Sequence, residues 1–476
     1  MGLGRRNGRC EGVGGDDLAV ETAGRVAVGH DGGGDRLTAR VVPRDRKRPG
    51  VTYRDGRLFC EDVPVADIAA SAGTPAYVYS KATFLSHYRA LRDAFAPLDP
   101  VLCYSIKSCS NLSIVKLLVD EGCGMDVVSG GEIFRAMQAG TGPRKIVYAG
   151  VGKTDAEIEL AISTGIGWFN IESEAEFENI AAIAQRMGKV AHGALRINPD
   201  VADARTHAKT TTGSKETKFG VDIERARRFF KTYGNNPHLQ LDAIHLHIGS
   251  PIYSPEPYVK AIGKALSLID ELKEEGITIT ALDIGGGFAA DYETGASPSY
   301  QSYADAIVPL LQGFRDGGGT VILEPGRTIA ANAGILITEV QYLKQGGAKK
   351  FVICDTGMHH LIRPTLYEAW QFIWPCAVSP EFVPTKRAKE MGMDGLELSE
   401  VVGPICETGD YLAKDRPLPP VERGDLLAIF AAGAYGMVMA SHYNSMPNPP
   451  EVLVDGETFD VIRRRETYED LVLAER

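Results

Sequence analysis

The sequence lacks the features that mark several large classes of protein. Its 51 basic residues stand against 62 acidic ones, for a net charge of −11, which disfavours a nucleic-acid partner or an anionic membrane. No apolar run approaches the length of a membrane span. The N-terminus also lacks the apolar core of a secretory signal. We therefore expect neither a nucleic-acid partner nor a membrane partner.

The cysteines also lack a pattern. All eight are scattered, with no C-x-x-C pair and no zinc-like spacing, so we expect reduced thiols, no metal site and a cytoplasmic protein. What remains is ordinary: 44% of residues are hydrophobic and 24% are charged, as in most soluble globular proteins. The 476 residues suffice for two domains.

The first part of the chain differs in composition from the rest. Residues 1–50 are rich in Gly, Arg and Asp and poor in apolar residues, which predicts a disordered extension. An overextended start site fits the same composition. Residues 52–60 form a predicted hairpin around Asp55-Gly56, residues 76–79 a strand, and residues 82–95 a helix.

From Val101 onward, short apolar strands alternate with polar loops and amphipathic helices. Eight such strands argue for a parallel α/β arrangement, and eight is the number that closes a (β/α)₈ barrel. Helices are predicted over Gly131–Ala139, with a capping box formed by Ser129 and Glu132, and over Pro257–Glu275. The predicted strands are Val101–Lys107, Gly124–Ser129, Ile146–Gly150, Trp168–Glu172, Gly193–Asn198, Ala243–Ser250, Ala281–Phe288 and Val321–Arg327.

After about residue 335 the long helices stop. Strands predicted over 334–342, 350–354 and 425–430 favour an antiparallel β domain. We therefore expect four segments: an N-terminal extension over 1–50, strands over 51–81 that contribute to the β domain, a barrel over 82–335, and a C-terminal β domain over 336–476.

The predicted barrel strands end on unusual residues, and active sites of such barrels lie at these ends. Lys107 follows an apolar strand, and a desolvated lysine is a good Schiff-base nucleophile. A lone lysine more often lays its stem on apolar surface and its charge in water. The residues at the other strand ends favour the interpretation of Lys107 as a Schiff-base nucleophile.

A glycine triplet, Gly285, Gly286 and Gly287, ends the seventh strand, and its amides can cradle a phosphate. Glu324 ends the eighth strand, either as a simple ion pair with Arg327 or as a carboxylate that keeps a pyridinium nitrogen protonated. A lysine, a phosphate cradle and an acidic partner together describe a pyridoxal phosphate site. His247 would lie against the cofactor ring, although a lone histidine is more often a core residue.

Five motifs in register resemble those of the fold-type-III, alanine-racemase-like pyridoxal-phosphate decarboxylases. The similarity runs from about Tyr53 to the C-terminus, and among these enzymes it is greatest to diaminopimelate decarboxylases, through stretches such as 361–367 and 433–437. Two positions depart from the usual motifs, Ser105 in place of Ala and Thr408 in place of Ser, and we expect them to tune activity rather than abolish it. The motifs are Tyr104–Lys107, His247–Ser250, Gly285–Phe288, Glu324–Arg327 and Cys406–Asp410.

The resemblance implies a role for each site residue. Lys107 would bind the cofactor covalently, and Cys406 would donate a proton. The substrate would be held by Arg327, Arg363, Tyr367, Glu407 and Tyr435. The cofactor would be held by Lys107, His247, Ser250, Gly285, Gly286, Gly287, Glu324, Pro325, Gly326, Arg327 and Tyr435. A homodimer would share its active sites, since Cys406 lies far along the chain from Lys107.

The implied activity is decarboxylation of meso-2,6-diaminopimelate to L-lysine and CO₂, the last step of lysine biosynthesis. Arg327 and Arg363 suit a distal carboxylate and Glu407 a distal ammonium, whereas ornithine and arginine carry no distal carboxylate. A related decarboxylase acting on carboxynorspermidine or another diamino acid is the nearest alternative. An alanine-racemase-like enzyme and a catalytically silent cofactor-binding protein are further alternatives, and Glu324 argues against the racemase.

Overall fold

The computed structural model describes residues 50–201, 203, 218–292 and 297–475. The predicted N-terminal extension lies outside them, apart from Gly50. Contacts along the chain place all described residues in one unit. Within the described ranges, no helix combines the length and the apolar character that crossing a membrane requires.

The first described elements form a small sheet and one strand of a larger sheet. The predicted hairpin is β1 (Val51–Arg54) and β2 (Arg57–Cys60), and β3 (Val63–Pro64) adds a third strand. Helix α1 (Val65–Ala72) leads to β4 (Ala76–Ser80), and helix α2 (Lys81–Ala94) follows. Only β4 joins the larger sheet, where it lies between two C-terminal strands.

Eight parallel strands close a barrel, as predicted. The eight strands are β5 (Val101–Ser105), β6 (Gly124–Val127), β7 (Ile146–Tyr148), β8 (Trp168–Ile171), β9 (Ala191–Asn198), β11 (Leu239–Leu246), β12 (Ala281–Asp283) and β13 (Thr320–Leu323). Each of the eight pairs with the next in this order, and β13 pairs with β5. The short strand β10 (Val221–Asp222) is added to the C-terminal end of β9.

The helices that follow the barrel strands bury one face each. They are α3 (Leu112–Asp120), α4 (Gly130–Gln138), α5 (Asp155–Thr164), α6 (Glu174–Arg186), α7 (Ile223–Tyr233), α8 (Glu256–Glu274) and α9 (Tyr300–Asp316). The predicted capping box is only half present: Ser129 accepts from Glu132 N–H, but the Glu132 carboxylate accepts from Val128 N–H.

Most predicted barrel strands extend too far at their C-terminal ends. β11 ends at Leu246 rather than Ser250, β12 at Asp283 rather than Phe288, and β13 at Leu323 rather than Arg327. Lys107 lies in a 3₁₀ turn just after β5. The chain leaves the sheet at these points, so the residues of interest lie in the turns at the barrel mouth.

The C-terminal strands form the second large sheet. After α10 (Arg327–Ala330), β14 (Gly334–Gly346) pairs with β4, β15 and β19, and two of the sheet's pairs, β15 with β17 and β4 with β20, are parallel rather than antiparallel. The remaining elements are β15 (Lys349–Cys354), α11 (Arg363–Tyr367), β16 (Ile373–Pro375), β17 (Glu397–Val402), β18 (Tyr411–Leu418), β19 (Leu426–Ile429), β20 (Glu451–Asp455), β21 (Thr458–Arg463) and α12 (Tyr468–Leu471). The domain bounds given above stay a prediction.

A buried histidine pair connects segments of this sheet. The rings of His359 and His360 lie 3.6 Å apart, Ser441 N–H donates to the carbonyl of His359, and the Tyr77 hydroxyl donates to that of His360. Both ring nitrogens of His359 are buried without a hydrogen-bond partner among the described residues. Burial lowers the pKa of His359 to about 4, so the ring is neutral in the folded protein.

We predict that His359 makes the protein less stable in acid. Its folded-state pKa lies below the value near 6.5 expected for an unfolded chain, so the unfolded state binds the extra proton and stability falls as the pH drops below 6.5. When the pH falls from 7.5 to 5, protonation of His359 in the unfolded chain should lower the free energy of unfolding by up to about 2 kcal/mol, and His359→Met should abolish this contribution. Urea unfolding at both pH values measures it.

The half-exposed His238 offers a matched control. His238→Met should retain the pH dependence of the unmodified protein. An unchanged pH dependence in His359→Met would show that the buried ring does not contribute to acid sensitivity.

Candidate active site

Lys107 lies at the barrel mouth with its amine against a buried carboxylate. Its Nζ donates to Asp126 Oδ2, and Ser105 Oγ lies 2.6 Å from the same oxygen. Burial would lower the pKa of Lys107, but the carboxylates of Asp126 and Glu324 outweigh burial and raise it. The amine is therefore a protonated partner of Asp126 in this structure.

Glu324 is buried directly after β13 and remains charged. Asn170 Nδ2 donates to Oε1 at 2.9 Å, and His245 Nε2 lies 3.3 Å from Oε2. Burial alone would raise the pKa of Glu324, but His245 and Lys107 hold it well below its usual range. The simple ion pair with Arg327 does not form: among the described residues, Glu324 contacts His245 instead.

Asp283 lies beside Glu324 at the end of β12. Burial and the charge of Glu324 raise the pKa of Asp283 well above its usual range, so the two carboxyl groups carry a single negative charge. The ligand atoms of His245, Asp283 and Glu324 lie within 4.8 Å of one another. That spacing also suits a metal ion, and the absence of a metal site stays a prediction.

The glycine loop turns sharply between the ends of β11 and β13. A Cβ on Gly286 would lie 2.1 Å from the carbonyl oxygen of Glu324, so no side chain fits there. Gly285 N–H donates to Asp283, and Gly286 N–H donates to His247 Nδ1 at 3.3 Å. Of the three amides, only that of Gly287 has no hydrogen bond within the described residues.

His247 is a neutral group in this site. Burial and the guanidinium of Arg196 lower its pKa to about 3. The hydrogen bond from Gly286 N–H to Nδ1 requires that nitrogen to be unprotonated. The imidazole can therefore lie against an aromatic ring without bringing a charge.

Arg327 is the first residue of α10, which follows β13. Its guanidinium donates to Ser250 Oγ and to the Tyr292 hydroxyl, each at 3.0 Å, and stacks on the ring of Tyr435. The preceding Pro325 and Gly326 pack against Ser105. Tyr435 N–H donates to the Ser108 carbonyl at 2.8 Å, which brings this β-domain residue to the barrel mouth.

Arg363 is a second buried arginine in the same region. It is 8% exposed, and the rings of Tyr292, Tyr367 and Tyr435 lie 5.5–6.0 Å from its guanidinium carbon. Its Nε has no hydrogen-bond partner, and no carboxylate of the described residues pairs with it. The described part of the site thus contains a desolvated guanidinium group without a carboxylate partner.

Cys406 and Glu407 are not part of this cluster within the chain. Both are exposed in the loop between β17 and β18, next to Thr408. Their hydrogen bonds are to residues of the same sheet region, Asn444 and Tyr443 among them. The structure therefore brings together all the predicted site residues except these two.

The cluster fits pyridoxal phosphate on the chemistry of its donors. Lys107 offers an amine, Glu324 an ionised carboxylate, and Gly287 an amide that has no hydrogen bond within the described ranges. Asp126 Oδ1 and His245 Nδ1 are buried without a hydrogen-bond partner among the described residues, as expected for groups whose partner is a ligand.

Sequence reasoning assigned no role to Asp126, His245 and Asp283, which lie in or at the ends of barrel strands, and it missed Asn170 and Tyr292 altogether. Asn170 is a buried amide inside β8, and its polarity in an apolar strand was a signal that was not used. Tyr292 lies in a loop, and its contacts with Arg327 and Arg363 depend on the fold alone.

Comparison with known proteins agrees with this assignment. Residues 81–331 match the family model described as "Pyridoxal-dependent decarboxylase, pyridoxal binding domain". The chain is 44% identical over 425 residues to a diaminopimelate decarboxylase of Aquifex aeolicus, covering 89% of this chain and 97% of that protein.

Two solved structures agree with this likeness. A diaminopimelate decarboxylase from Helicobacter pylori complexed with L-lysine is 38% identical, with a TM-score of 0.79 over 86% of this chain and 99% of that one. The enzyme from M. jannaschii in co-complex with L-lysine is 36% identical, with a TM-score of 0.82 over 90% and 98%. The chain therefore belongs to the diaminopimelate decarboxylase family of pyridoxal-dependent decarboxylases.

Proposed function

We propose that this protein decarboxylates meso-2,6-diaminopimelate to L-lysine and CO₂ with pyridoxal 5′-phosphate. The observation that carries the proposal is Arg363, a buried guanidinium among three tyrosines with no carboxylate partner in the described residues. An unpaired buried charge is costly, so a substrate carboxylate is its natural partner. The lysine found in two related structures is the product of this reaction.

The residues at the barrel mouth would hold the cofactor. When bound, pyridoxal phosphate supplies an aldehyde that links to an amine and a ring that takes up the electron pair left by CO₂. Lys107 would bind the aldehyde, and the ionised Glu324 would keep the ring nitrogen protonated. Neutral His247 would lie against the ring. Ser250, Tyr435 and the segments Gly285–Gly287 and Glu324–Arg327 would hold the phosphate.

Asp126 controls the proton on Lys107. The amine must lose a proton from Nζ before it can act as a nucleophile, and Asp126 Oδ2 already accepts a hydrogen bond from it. Burial raises the pKa of Asp126, and the charge of Glu324 adds to that effect, so its carboxylate is a better proton acceptor than an ordinary aspartate. Ser105 donates to the same oxygen and fixes its position.

The distal end of the substrate is a zwitterion and needs both kinds of charge. Arg363, with Arg327 nearby and Tyr367 and Tyr435 beside it, suits the distal carboxylate by bidentate hydrogen bonding. Glu407 suits the distal ammonium. Ornithine and arginine would leave the buried guanidinium of Arg363 unpaired.

Cys406 and Glu407 reach the substrate only if another subunit supplies them. Both are exposed, and their hydrogen bonds stay within their own sheet region. A symmetric homodimer in which each β domain completes the barrel site of its partner accounts for this placement. Cys406 then donates the proton that replaces CO₂. We place this enzyme in the cytoplasm.

We predict that the purified protein, supplied with cofactor, forms lysine and CO₂ from meso-diaminopimelate, and that this activity depends on Arg363. Arg363→Ala should lose on the order of 2–5 kcal/mol of transition-state binding, or roughly 30- to 5,000-fold in kcat/KM. The visible absorbance of the bound cofactor should be unchanged. Lysine release and absorbance spectra measure the two effects separately.

Arg144, an exposed arginine on the barrel, serves as the matched control, and Arg144→Ala should keep full activity. If Arg363→Ala decarboxylates diaminopimelate as well as the unmodified enzyme does, the substrate assignment is wrong, even though the family assignment stands.

A second prediction tests the shared site by complementation. Lys107→Ala and Cys406→Ala should each be nearly inactive. After subunit exchange, a heterodimer contains one site built from intact Lys107 and intact Cys406, so random pairing should restore about a quarter of the unmodified activity. Native mass spectrometry reports the exchange, and lysine formation reports the activity.

A chain in which both substitutions are combined provides the control, because mixing it with either single variant creates no intact site. Confirmed heterodimers without restored activity would contradict a site shared between subunits.

A further inference from the structure

The loop with Cys406 and Glu407 is held by a second loop of the β domain, residues 436–450, which we name the 436–450 segment. The Tyr443 hydroxyl donates to Glu407 Oε2 at 2.9 Å, and Asn444 Oδ1 accepts from Cys406 N–H at 3.0 Å. Two consecutive residues of one loop thus contact two consecutive residues of the other.

The 436–450 segment adopts a costly backbone conformation at this point. Asn444 and Ser445 have φ values of 55° and 56°, in the left-handed region. This conformation is energetically unfavourable for residues other than glycine, and it persists only where contacts with the surrounding structure stabilise it. It occurs here at the residue that contacts Cys406.

Three contacts fix the 436–450 segment to the rest of the sheet. Ser441 N–H donates to the His359 carbonyl at 2.8 Å, His360 Nε2 lies 3.1 Å from the Pro447 carbonyl, and His442 Nε2 lies 2.6 Å from Glu466. The tip with Tyr443 and Asn444 is therefore anchored on both sides, so it can hold a neighbouring loop in place.

Tyr443 leaves one carboxylate oxygen of Glu407 available. The hydroxyl bonds Oε2, while Oε1 has no hydrogen bond within the described part of the chain. The hydrogen bond to Glu407 raises the pKa of Tyr443, so the hydroxyl keeps its proton and remains a donor at neutral pH. The Tyr443 side chain is 43% exposed, which argues against a role in the core.

We propose that Tyr443 and Asn444 are positioning residues: Tyr443 aims the Glu407 carboxylate at the distal ammonium of the substrate, and Asn444 sets the backbone position of Cys406. This inference rests on the proposed function. Tyr443 would then affect substrate selectivity, and Asn444 would affect the proton-donating step.

The two roles predict different kinetic effects. Tyr443→Phe keeps the ring and loses the hydroxyl, so KM for meso-diaminopimelate should rise about 5- to 20-fold while kcat stays within about twofold. Asn444→Gly suits the left-handed backbone and loses the oxygen, so kcat should fall about 3- to 10-fold. Asn444→Asp, which keeps an oxygen there, should restore most of kcat.

A double-mutant cycle tests whether Tyr443 acts through Glu407. In the Glu407→Ala background, Tyr443→Phe should change KM by less than about twofold, because the oxygen that accepts the hydroxyl's hydrogen bond is already gone. Tyr468→Phe is the matched control, since Tyr468 is 76% exposed, and should leave both constants unchanged. Cofactor absorbance and melting temperature check that each variant is folded and loaded.

The outcomes separate this inference from the proposed function. An active unmodified enzyme whose KM is unaffected by Tyr443→Phe overturns the inference alone. Equal effects of Tyr443→Phe with and without Glu407 also overturn it, because they indicate a general structural role. An unmodified enzyme that forms no lysine from meso-diaminopimelate overturns the proposed function and this inference together.

Discussion

The site depends on how buried charges are balanced beneath Lys107. Three carboxyl groups, Asp126, Asp283 and Glu324, lie in the barrel mouth with Lys107 and His245 as their counterparts. Because like charges close together cannot all ionise at low dielectric, Asp283 keeps its proton while Glu324 remains charged. The same balance provides Lys107 with a proton acceptor and Glu324 with the charge needed to hold a protonated ring nitrogen.

The surroundings of Arg327 and Arg363 have the reverse imbalance. Arg327 and Arg363 are buried among tyrosines and have no carboxylate partner among the described residues. Among the described residues, carboxyl groups are thus concentrated around Lys107, and two guanidinium groups without a carboxylate partner lie against tyrosine rings. A cationic ring nitrogen would pair with Glu324, and an anionic phosphate and a distal carboxylate would pair with the guanidinium groups. Pyridoxal phosphate together with diaminopimelate carries all three of these groups, as the proposed reaction requires.

Much of the fold could be predicted from the sequence because the barrel strands begin where apolar runs begin. Their ends were placed too late, since Gly285–Phe288 and His247–Ser250 look like strand residues but form turns. The residues around the cofactor were predicted from motifs that the strand order brings to one mouth. The contributions of Asn170 and Tyr292 depend on contacts between distant parts of the chain, which no local pattern encodes, and the surroundings of Cys406 depend on a loop near the C-terminus.

The central claim is that Lys107 binds the aldehyde of the cofactor, and the most direct measurement is borohydride reduction followed by peptide mass spectrometry. The account predicts a yellow protein in which reduction adds the cofactor mass to the peptide containing Lys107. The Lys107→Ala variant should show no such adduct. A protein that stays colourless with added pyridoxal phosphate, or an adduct on another lysine, would contradict the account.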